Sequence, residues 1–456
     1  MTLKGRRVVV LGLGITGLSA VRWAVRHGAR VSVADTRADP PRAAQLRAEL
    51  PQVAVAAGPI TDATLAGAEL VVISPGLSKD LPAIRAAVAR GVELVGDVEL
   101  FACALPATQK VLAITGSNGK TTVTALVTEL ARAAGLAATS AGNIGEPVLD
   151  VLTAHERAAR WPDVFVIELS SFQLETTARL KLVAATVLNV TENHLDRYAT
   201  IDEYAAAKAR IFGGDGEQVL NRDDPRSLAM RLPGRVIQTF GAGVPESEND
   251  WGLVERKGSI WLARGGALLA AASELKLVGR HNRLNALAGL ALASTVAKIE
   301  RRVLAALTAF QGLPHRMERV TEIGGVLFVN DSKGTTVAAT LAALDGMARP
   351  VVLIAGGEGK GQDFAPLKAA VDAHCRAVVL LGRDAPALAA ALSGATPPIE
   401  FAPALEVAVA RAVARARSGD AVLLSPACAS LDMFRDYIDR GDRFKAAVAA
   451  HAREAA

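Results

Sequence analysis

The segment with the clearest chemical signature is TGSNGKTT at 115–122, which directly follows the apolar run KVLAIT. Gly116 and Gly119 allow the backbone to direct its N–H groups toward a phosphate chain. Lys120 can reach the β- and γ-phosphates, and Thr121 offers a hydroxyl to Mg²⁺. The spacing G-x-x-G-K-T is two residues shorter than the usual P-loop, but strand, glycines, Lys-Thr and helix start occur in the correct order. The segment predicts a nucleoside triphosphate site.

Acidic and basic side chains elsewhere could complete such a site. Glu168 ends the apolar run DVFVIE, where a carboxylate can meet a metal ion, although it could equally be an ordinary acid at a strand end. His194 and Asp196 follow a further run in VLNVTENHLDRY, and a lone histidine is more often structural. Lys208 lies in the Ala-rich segment YAAAKARIF, and its pattern alone predicts a solvated lysine.

A second glycine motif, Gly12-x-Gly14-x-x-Gly17, follows the apolar run that starts the chain, and Asp35 ends the next run, RVSVAD. This arrangement is typical of a turn that binds the pyrophosphate of a dinucleotide. An NAD-dependent oxidoreductase is therefore one alternative, but no second feature supplies hydride-transfer chemistry. A non-enzymatic nucleotide-binding switch is another.

The elements that position these residues are short apolar runs alternating with longer Ala-rich segments, which predicts parallel strands covered by helices. A third glycine turn, GGEGKG at 356–361, suggests three α/β units, and we place their boundaries near 97 and 312. The fold class is therefore α/β with three domains, 1–97, 98–312 and 313–456. The central one is predicted to have a mostly parallel sheet. Segments between 235 and 272 predict a small antiparallel sheet beside it.

Composition excludes several classes of protein. The 456 residues carry a formal net charge of only +5, and no run of Lys and Arg with interleaved aromatics indicates nucleic-acid binding. Three widely spaced cysteines form neither a disulfide framework nor a zinc motif, so buried free thiols in a reducing compartment are expected. We find no signal peptide and no membrane span, which favours a cytoplasmic protein.

The motifs together resemble the Mur ligases, in order and over nearly the whole chain. They are GSNGKTT, ELSSFQLE, NVTENHLDRY, AAKARIF, HNRLNAL, GLPHRME, NDSKGTT, GGEGKG and LSPACASLDMF. SSFQLE, AGNIGEP and SPACASLDMF are most similar to the family member that adds D-glutamate to UDP-N-acetylmuramoyl-L-alanine in peptidoglycan synthesis. The resemblance implies a Rossmann-like N-terminal domain, a central P-loop ATPase domain and a Rossmann-like C-terminal domain. It also implies an ATP-dependent amide ligase with an acyl-phosphate intermediate. A sibling Mur ligase and a folylpolyglutamate synthetase-like ligase remain alternatives.

The resemblance also implies a role for individual residues. The implied catalytic residues are Lys120, Glu168, His194 and Lys208. The implied metal ligands are Thr121, Glu168, His194 and Lys208, with two Mg²⁺ ions and a CO₂-derived carbamate on Lys208. The implied ATP contacts are Gly116, Ser117, Asn118, Gly119, Lys120, Thr121, Thr122, Asn282, Arg316 and Asp331.

Two further sets concern the other substrates. The implied contacts to the UDP-linked substrate are Gly14, Ile15, Thr16, Asp35, Thr36, Arg37, Gly76, Asn143 and His194. The implied D-glutamate contacts are Lys333, Thr335, Lys360, Ser430, Leu431 and Tyr437. The resemblance further implies a monomer whose third domain closes onto the central one.

This sequence departs from the family pattern at several positions. Gly334 and Thr336 replace the usual Ala and Asn, and Asn193 replaces a common Asp. Tyr437 replaces an aromatic that is often Phe, and Glu358 replaces a common Asp. None of these changes removes a proposed catalytic group.

Overall fold

The computed structural model describes residues 1–192, 197–277 and 279–454. The chain forms two compact units. The first comprises Met1–Trp251, Arg264–Gly266 and Ala288–Val303, and the second comprises Gly252–Ala263, Ala267–Leu287 and Leu304–Ala456. No helix in the described part of the chain is long and apolar enough to cross a membrane.

The first unit opens with five parallel strands and the helices that connect them. In chain order these elements are β1 (Arg7–Leu11), α1 (Ile15–Arg26), β2 (Arg30–Asp35), α2 (Ala43–Glu49), β3 (Ala54–Ala57), β4 (Leu70–Ile73), α3 (Pro82–Ala89) and β5 (Glu93–Val95). The strand order is β3-β2-β1-β4-β5, with all neighbours parallel. The order reverses between β1 and β4, and crevices at such reversals are where ligands bind in open α/β sheets.

A second sheet is built around the strand that precedes TGSNGKTT. Its elements are α4 (Asp97–Ala104), β6 (Lys110–Thr115), α5 (Lys120–Ala133), β7 (Ala138–Gly142), α6 (Val148–Ala158), β8 (Val164–Glu168), α7 (Ser171–Leu174), β9 (Ala184–Val187), α8 (Ile201–Ala209), β10 (Glu217–Asn221), α9 (Pro225–Ala229), β11 (Ile237–Phe240), β12 (Asp250–Arg256), β13 (Ser259–Arg264) and β14 (Ala267–Ala271). The strand order is β14-β13-β12-β11-β10-β9-β6-β8-β7. Strand β6 lies between β8 and β9 in parallel register, with Ile114 opposite both Glu168 and Thr186.

The remaining elements lead into a third sheet, in the second unit. They are α10 (Arg280–Ser294), α11 (Arg301–Ala309), β15 (Glu318–Ile323), β16 (Val326–Asn330), α12 (Val337–Gly346), β17 (Val351–Gly356), α13 (Leu367–His374), β18 (Cys375–Leu381), α14 (Ala385–Ala391), β19 (Ile399–Phe401), α15 (Leu405–Arg415), β20 (Ala421–Leu424) and α16 (Tyr437–Glu454). The strand order is β15-β16-β20-β17-β18-β19. Only β15 among the described pairings of this sheet is antiparallel to its neighbour.

The buried faces explain why continuous apolar runs form these strands. In β6 and β8, every residue except Lys110 is buried, because helices or loops cover both sides of the sheet. Phe101 of α4 contacts Phe165 of β8 edge to face, with ring centroids 5.3 Å apart. The predicted α/β class and parallel strands are confirmed.

Two expectations need correction. The segment VIQTF forms β11, which pairs in parallel with β10 on one side and β12 on the other, whereas an antiparallel strand was predicted. The two-residue connections on either side of β13 fit antiparallel hairpins, but these strands extend the same sheet. Of the thiols, Cys428 is buried as expected, while Cys103 and Cys375 are half-buried.

Candidate functional site

A cavity of about 480 Å³ lies at the carboxyl ends of β1, β2 and β4, in the first unit. Its lining residues come from four strand-end loops and the start of α7. They are Gly12, Gly14, Ile15, Thr16, Asp35, Thr36, Arg37, Ser74, Pro75, Gly76, Leu77, Gly142, Asn143 and Gln173. Eight of the predicted UDP-substrate residues therefore share one cavity. The ninth, His194, lies outside the described residues.

The glycines of the first loop are required for different reasons. A Cβ on Gly17 would lie 1.8 Å from the carbonyl oxygen of Gly12, so α1 can approach β1 this closely only with glycine there. Gly12 has a φ of +89°, in the left-handed region that favours glycine. A Cβ on Gly14 would meet no atom within 4 Å. Gly14 is therefore free to face a ligand rather than another part of the chain.

Asp35 anchors the rim of this cavity. Its buried carboxylate accepts hydrogen bonds from the Leu13 backbone N–H at 2.6 Å and from the Arg37 backbone N–H at 2.9 Å. The Arg37 guanidinium donates to both carboxylate oxygens, at 2.8 and 2.6 Å. These bonds from Arg37, and then that from Leu13, lower the pKa of Asp35 to about 2, so it stays ionised. The carboxylate thereby fixes the glycine loop and the arginine together.

Gln173 lines the same cavity but was absent from our predicted contacts. The Oε1 atom of its side chain accepts from the backbone N–H of Ser170 at 3.1 Å, completing a capping box at the start of α7. The Gln173 amide also hydrogen-bonds the buried carboxyl of Asp97, whose pKa burial raises to about 6. The S-x-x-Q spacing in SSFQLE is typical of a helix cap, and nothing in that spacing indicates a residue that lines a cavity.

The second glycine loop connects β6 to α5 in the same unit. Gly119 adopts a φ of +84° immediately before α5, so the chain turns sharply into the helix. The Lys120 ammonium lies back over the loop and donates to the carbonyls of Gly116 at 2.8 Å and Ser117 at 3.0 Å. Strand, turn, lysine and helix N-terminus thus have the arrangement that binds phosphate groups.

Side chains from the neighbouring strand-end segment hold this loop in place. The backbone N–H of Asn118 donates to Oδ1 of Asn189 at 2.8 Å, and the Asn189 amide donates to the carbonyl of Asn118 at 3.1 Å. The buried Ser117 hydroxyl donates to the carbonyl of Thr191 at 3.1 Å and accepts from the Thr191 N–H at 3.0 Å. These four hydrogen bonds therefore hold the loop in its conformation without a ligand.

Glu168 is buried at the end of β8, beside the end of β6. Its Oε1 atom accepts from the Asn143 side-chain amide at 2.9 Å, which links it to a residue that lines the first cavity. Thr121 is half-buried in the first turn of α5, and Thr122 beside it is buried. A carboxylate and a hydroxyl are oxygen ligands that suit Mg²⁺. Among residues 1–192, 197–277 and 279–454, no group of three His, Cys, Asp or Glu side chains is arranged to hold a metal.

The prediction that Lys208 is solvated is wrong, because its side chain is 1% exposed. Its Nζ atom donates to the carbonyl of Gly116 at 2.9 Å and lies 4.3 Å from the centroid of the Tyr204 ring. Burial, and then the nearby Lys120 charge, lower the pKa of Lys208 to about 6. Helix α8 presents this lysine to the sheet because Tyr204 and Lys208, four residues apart, share its buried face.

The second unit carries the other predicted ATP contacts. Asp331 follows β16 and is buried; it accepts from the Ser425 hydroxyl at 2.8 Å and the Met317 N–H at 3.2 Å. Burial raises the pKa of this carboxyl to about 7. Arg316 is half-buried and close enough for its charge to act on Asp331. Asn282 is buried on α10, where its Oδ1 accepts from the Asn285 amide at 2.9 Å.

Three loops at the carboxyl ends of β16, β17 and β20 carry five of the predicted D-glutamate contacts, and Tyr437 begins α16. The Lys333 ammonium lies 4.0 Å from the centroid of the Tyr437 ring, which brings two of these residues together. Ser430 is buried and Thr335 half-buried, whereas Lys360 is exposed, with a φ of +52°. The Leu431 side chain is 62% exposed.

Gln362 connects these loops. Its amide donates to the carbonyls of Thr335 at 3.4 Å, Gly359 at 3.0 Å and Ala427 at 3.3 Å. Its Oε1 atom accepts from the Val337 N–H at 3.1 Å. One half-buried side-chain amide therefore contacts all three loops.

The structure also explains one departure from the family pattern. A Cβ on Gly334 would lie 2.4 Å from Oδ2 of Asp331 and 2.9 Å from the Ser425 hydroxyl. The absence of a side chain at this position allows the Asp331–Ser425 hydrogen bond to have its present geometry. The conformation of this loop is therefore fitted to glycine.

Comparison with known proteins identifies relatives over the entire chain. Three family models match: "Mur ligase MurD-like, N-terminal domain" at residues 6–96, "Mur ligase middle domain" at 114–293 and "Mur ligase, glutamate ligase domain" at 315–428. The chain is 54% identical to the UDP-N-acetylmuramoylalanine–D-glutamate ligase of Methylobacillus flagellatus over 98% of both chains. It is also 54% identical to the ligase of that name from Thiobacillus denitrificans, over 98% of this chain and 97% of the relative.

Solved structures agree on the fold. The UDP-N-acetylmuramate-alanine ligase of Thermotoga maritima matches with a TM-score of 0.58 at 20% identity, covering 98% of this chain and 99% of that one. A pseudomurein peptide ligase type C from Methanothermus fervidus matches with a TM-score of 0.56 at 18% identity, covering 92% and 96%.

Proposed function

Because the chain belongs to the Mur ligase family, we propose that it is an ATP-dependent ligase that joins D-glutamate to UDP-N-acetylmuramoyl-L-alanine in peptidoglycan synthesis. The observation that carries this proposal is 54% identity, over 98% of both chains, to a ligase named for that reaction. The site agrees with it, since one glycine loop lines a cavity and a second has the arrangement of a phosphate-binding loop.

The chemistry requires two nucleotide sites. A carboxylate is a poor electrophile, so the γ-phosphoryl group of ATP is first transferred to the alanyl carboxylate, giving an acyl phosphate and ADP. The amine of D-glutamate then attacks the acyl carbon, and the tetrahedral intermediate expels inorganic phosphate to leave an amide. Lys120 offsets negative charge where phosphates face a carboxylate. The first cavity holds the UDP-linked substrate.

Mur ligases depend on ATP and Mg²⁺, and the oxygen ligands of this site fit that cation. We propose two ions, one held by Thr121 and Glu168 and the other by His194. Bound Mg²⁺ would neutralise charge on the transferred phosphoryl group. Asn282, Arg316 and Asp331 are proposed as further ATP contacts.

We also propose that Lys208 carries a carbamate. Its buried amine, with a pKa lowered to about 6, is largely neutral at physiological pH. Such a neutral amine can attack CO₂: an N–C bond forms, one C=O π bond of CO₂ becomes a carboxylate oxygen, and the nitrogen releases one proton, which leaves an anion able to support a metal. Lys208→Ala should lose most turnover and regain part of it with added short carboxylates. High-resolution density showing an unmodified amine in an active, metal-bound crystal would refute the carbamate.

The amino-acid site is proposed to comprise Lys333, Thr335, Lys360, Ser430, Leu431 and Tyr437. Lysines and hydroxyls suit an amino acid with two carboxylates. All substrates would then be small molecules. We further propose a cytoplasmic location, because the substrates are ATP and a UDP-linked precursor. The family resemblance alone supports the proposal of a monomer.

The decisive experiment measures phosphate release with ATP, Mg²⁺ and UDP-N-acetylmuramoyl-L-alanine across a panel of amino acids. Release that requires D-glutamate is expected. Release driven instead by L-alanine, diaminopimelate, lysine or L-glutamate would assign the chain to a sibling ligase. A companion titration with NADH should show no saturable binding at micromolar concentration.

A further inference from the structure

Arg440, on α16, is among the largest fully buried side chains of the molecule, with 1% exposure. No carboxylate in the described part of the chain forms an ion pair with it; its guanidinium donates instead to backbone carbonyls and one hydroxyl. A buried charge without an ion-pair partner is costly. Such a residue is retained where its fixed fork of donors does something that an apolar side chain cannot do.

The fork reaches the three loops that carry the proposed amino-acid contacts. After β16, Nη2 donates to the carbonyl of Ser332 at 2.8 Å, and Nε donates to the Ser332 hydroxyl at 3.0 Å. After β20, the carbonyl of Cys428 accepts from both terminal nitrogens, at 3.2 and 3.1 Å, and that of Ala429 accepts at 3.4 Å. At the end of β17, the carbonyl of Gly356 accepts at 3.5 Å.

Each accepting residue adjoins a proposed contact in sequence or leads into its loop. Ser332 precedes Lys333, Ala429 precedes Ser430, and Gly356 starts the turn that contains Lys360. The Ser332 hydroxyl, while accepting from Arg440, also donates to the carbonyl of Tyr437 at 2.8 Å. The guanidinium is therefore the common support of four of the six proposed contacts.

We propose that Arg440 is a positioning residue for amino-acid binding, setting the spacing of the three loops without touching the substrate. A lysine cannot replace it, because a single ammonium has no planar fork and cannot reach three separate loops. This inference deepens the proposed function and rests on it for the identity of the amino acid.

The test is steady-state kinetics of Arg440→Lys in the full-length enzyme, with each substrate varied in turn. We expect the KM for the amino acid to rise at least tenfold, while the KM for the UDP-linked substrate changes less than twofold. The matched control is Arg443→Lys on the same helix, where the arginine is half exposed and pairs with Asp439 at 3.2 Å. This variant should retain the wild-type KM values.

A general loss of structure would change all KM values together or lower kcat alone, and either result would overturn the proposal, as would unchanged kinetics. If Arg440→Lys does not fold, Ser332→Ala decides the question, since it removes the Nε acceptor and the link to Tyr437. A selective rise of about threefold in the amino-acid KM supports the proposal, and no rise refutes it.

The kinetics use whichever amino acid supports phosphate release by the wild-type enzyme. If that amino acid is not D-glutamate, the proposed function fails while the role of Arg440 is still measured. The two failures are therefore distinguishable.

Discussion

Both glycine loops of the first unit connect a strand to a helix N-terminus, but the charged side chains beside them differ in sign. The loop after β1 contacts an ionised carboxylate, Asp35, whose pKa is lowered to about 2. The loop after β6 has two amines, Lys120 and Lys208, whose Nζ atoms both donate to the carbonyl of Gly116, at 2.8 and 2.9 Å. The two loops therefore share a backbone geometry that suits phosphate, and they differ in the charge of the neighbouring side chains.

This contrast supports the proposal that the two loops have separate tasks. A loop anchored by Asp35 and Arg37 can hold a pyrophosphate that takes no part in the reaction. A loop with the Lys120 ammonium lying over it can stabilise a phosphoryl group during transfer. If the division is correct, substitutions in one loop should leave the measured property of the other unchanged.

The largest effect is expected from Lys120→Ala. Turnover should fall on the order of 10³-fold, because the positive charge facing the transferred phosphoryl group is lost. The dissociation constant of the UDP-linked substrate, measured by calorimetry, should change less than twofold. The exposed Lys110, which begins the same strand β6, provides the control variant Lys110→Ala, with wild-type turnover expected. Full activity of Lys120→Ala would mean that this loop does not hold the triphosphate.

Asp35→Asn tests the other loop. Hydrogen bonds to a charged group contribute about 1.5–3 kcal/mol, which corresponds to roughly a 10- to 100-fold rise in the KM for the UDP-linked substrate. The KM for ATP should stay within twofold of the wild type. Asp39→Asn, at an exposed position four residues later, serves as the control. A comparable rise in both KM values would show that the two loops are not independent.

The smallest effect concerns pH and stability. Lys208 has a folded-state pKa of about 6 against an ordinary value of 10.5, so between these values the unfolded chain binds more protons. The free energy of unfolding should therefore rise with pH in this window, relative to Lys208→Met, by up to about 1.4 kcal/mol per pH unit. Urea unfolding at pH 6.5, 7.5 and 8.5 in CO₂-free buffer measures the difference. The exposed Lys181, changed to Met, should give a curve parallel to that of the wild type. A Lys208→Met curve also parallel to the wild type would argue against burial of the charge-bearing amine.

Sequence patterns predicted those features that depend on local chemistry. Glycines after apolar runs identified both loops of the first unit, and continuous apolar runs identified parallel strands, because both signals are contained within a few residues. The parallel pairing of β11 was missed, since its direction depends on where the chain goes next. His194 stays a prediction, because it lies outside the described residues.

The sequence patterns did not predict that two basic side chains are buried. Lys208 and Arg440 both lie in Ala-rich or charged helical segments that favour solvent exposure, and both are 1% exposed. Their hydrogen-bond acceptors include backbone carbonyls of strand-end loops. Every residue has a backbone carbonyl, so the residue types do not indicate which carbonyl will accept. Only the family resemblance singled out Lys208, and no residue pattern indicated the burial of Arg440.

Gln173 has a consequence for inhibitor design. The same side chain completes the capping box at the start of α7 and lines the cavity at the carboxyl ends of β1, β2 and β4. Losing a helix cap typically costs about 1 kcal/mol. A substitution of Gln173 that weakens the binding of a compound to its side-chain amide would therefore also destabilise the start of α7. An inhibitor directed at Gln173 would thus contact a residue that also stabilises the start of α7.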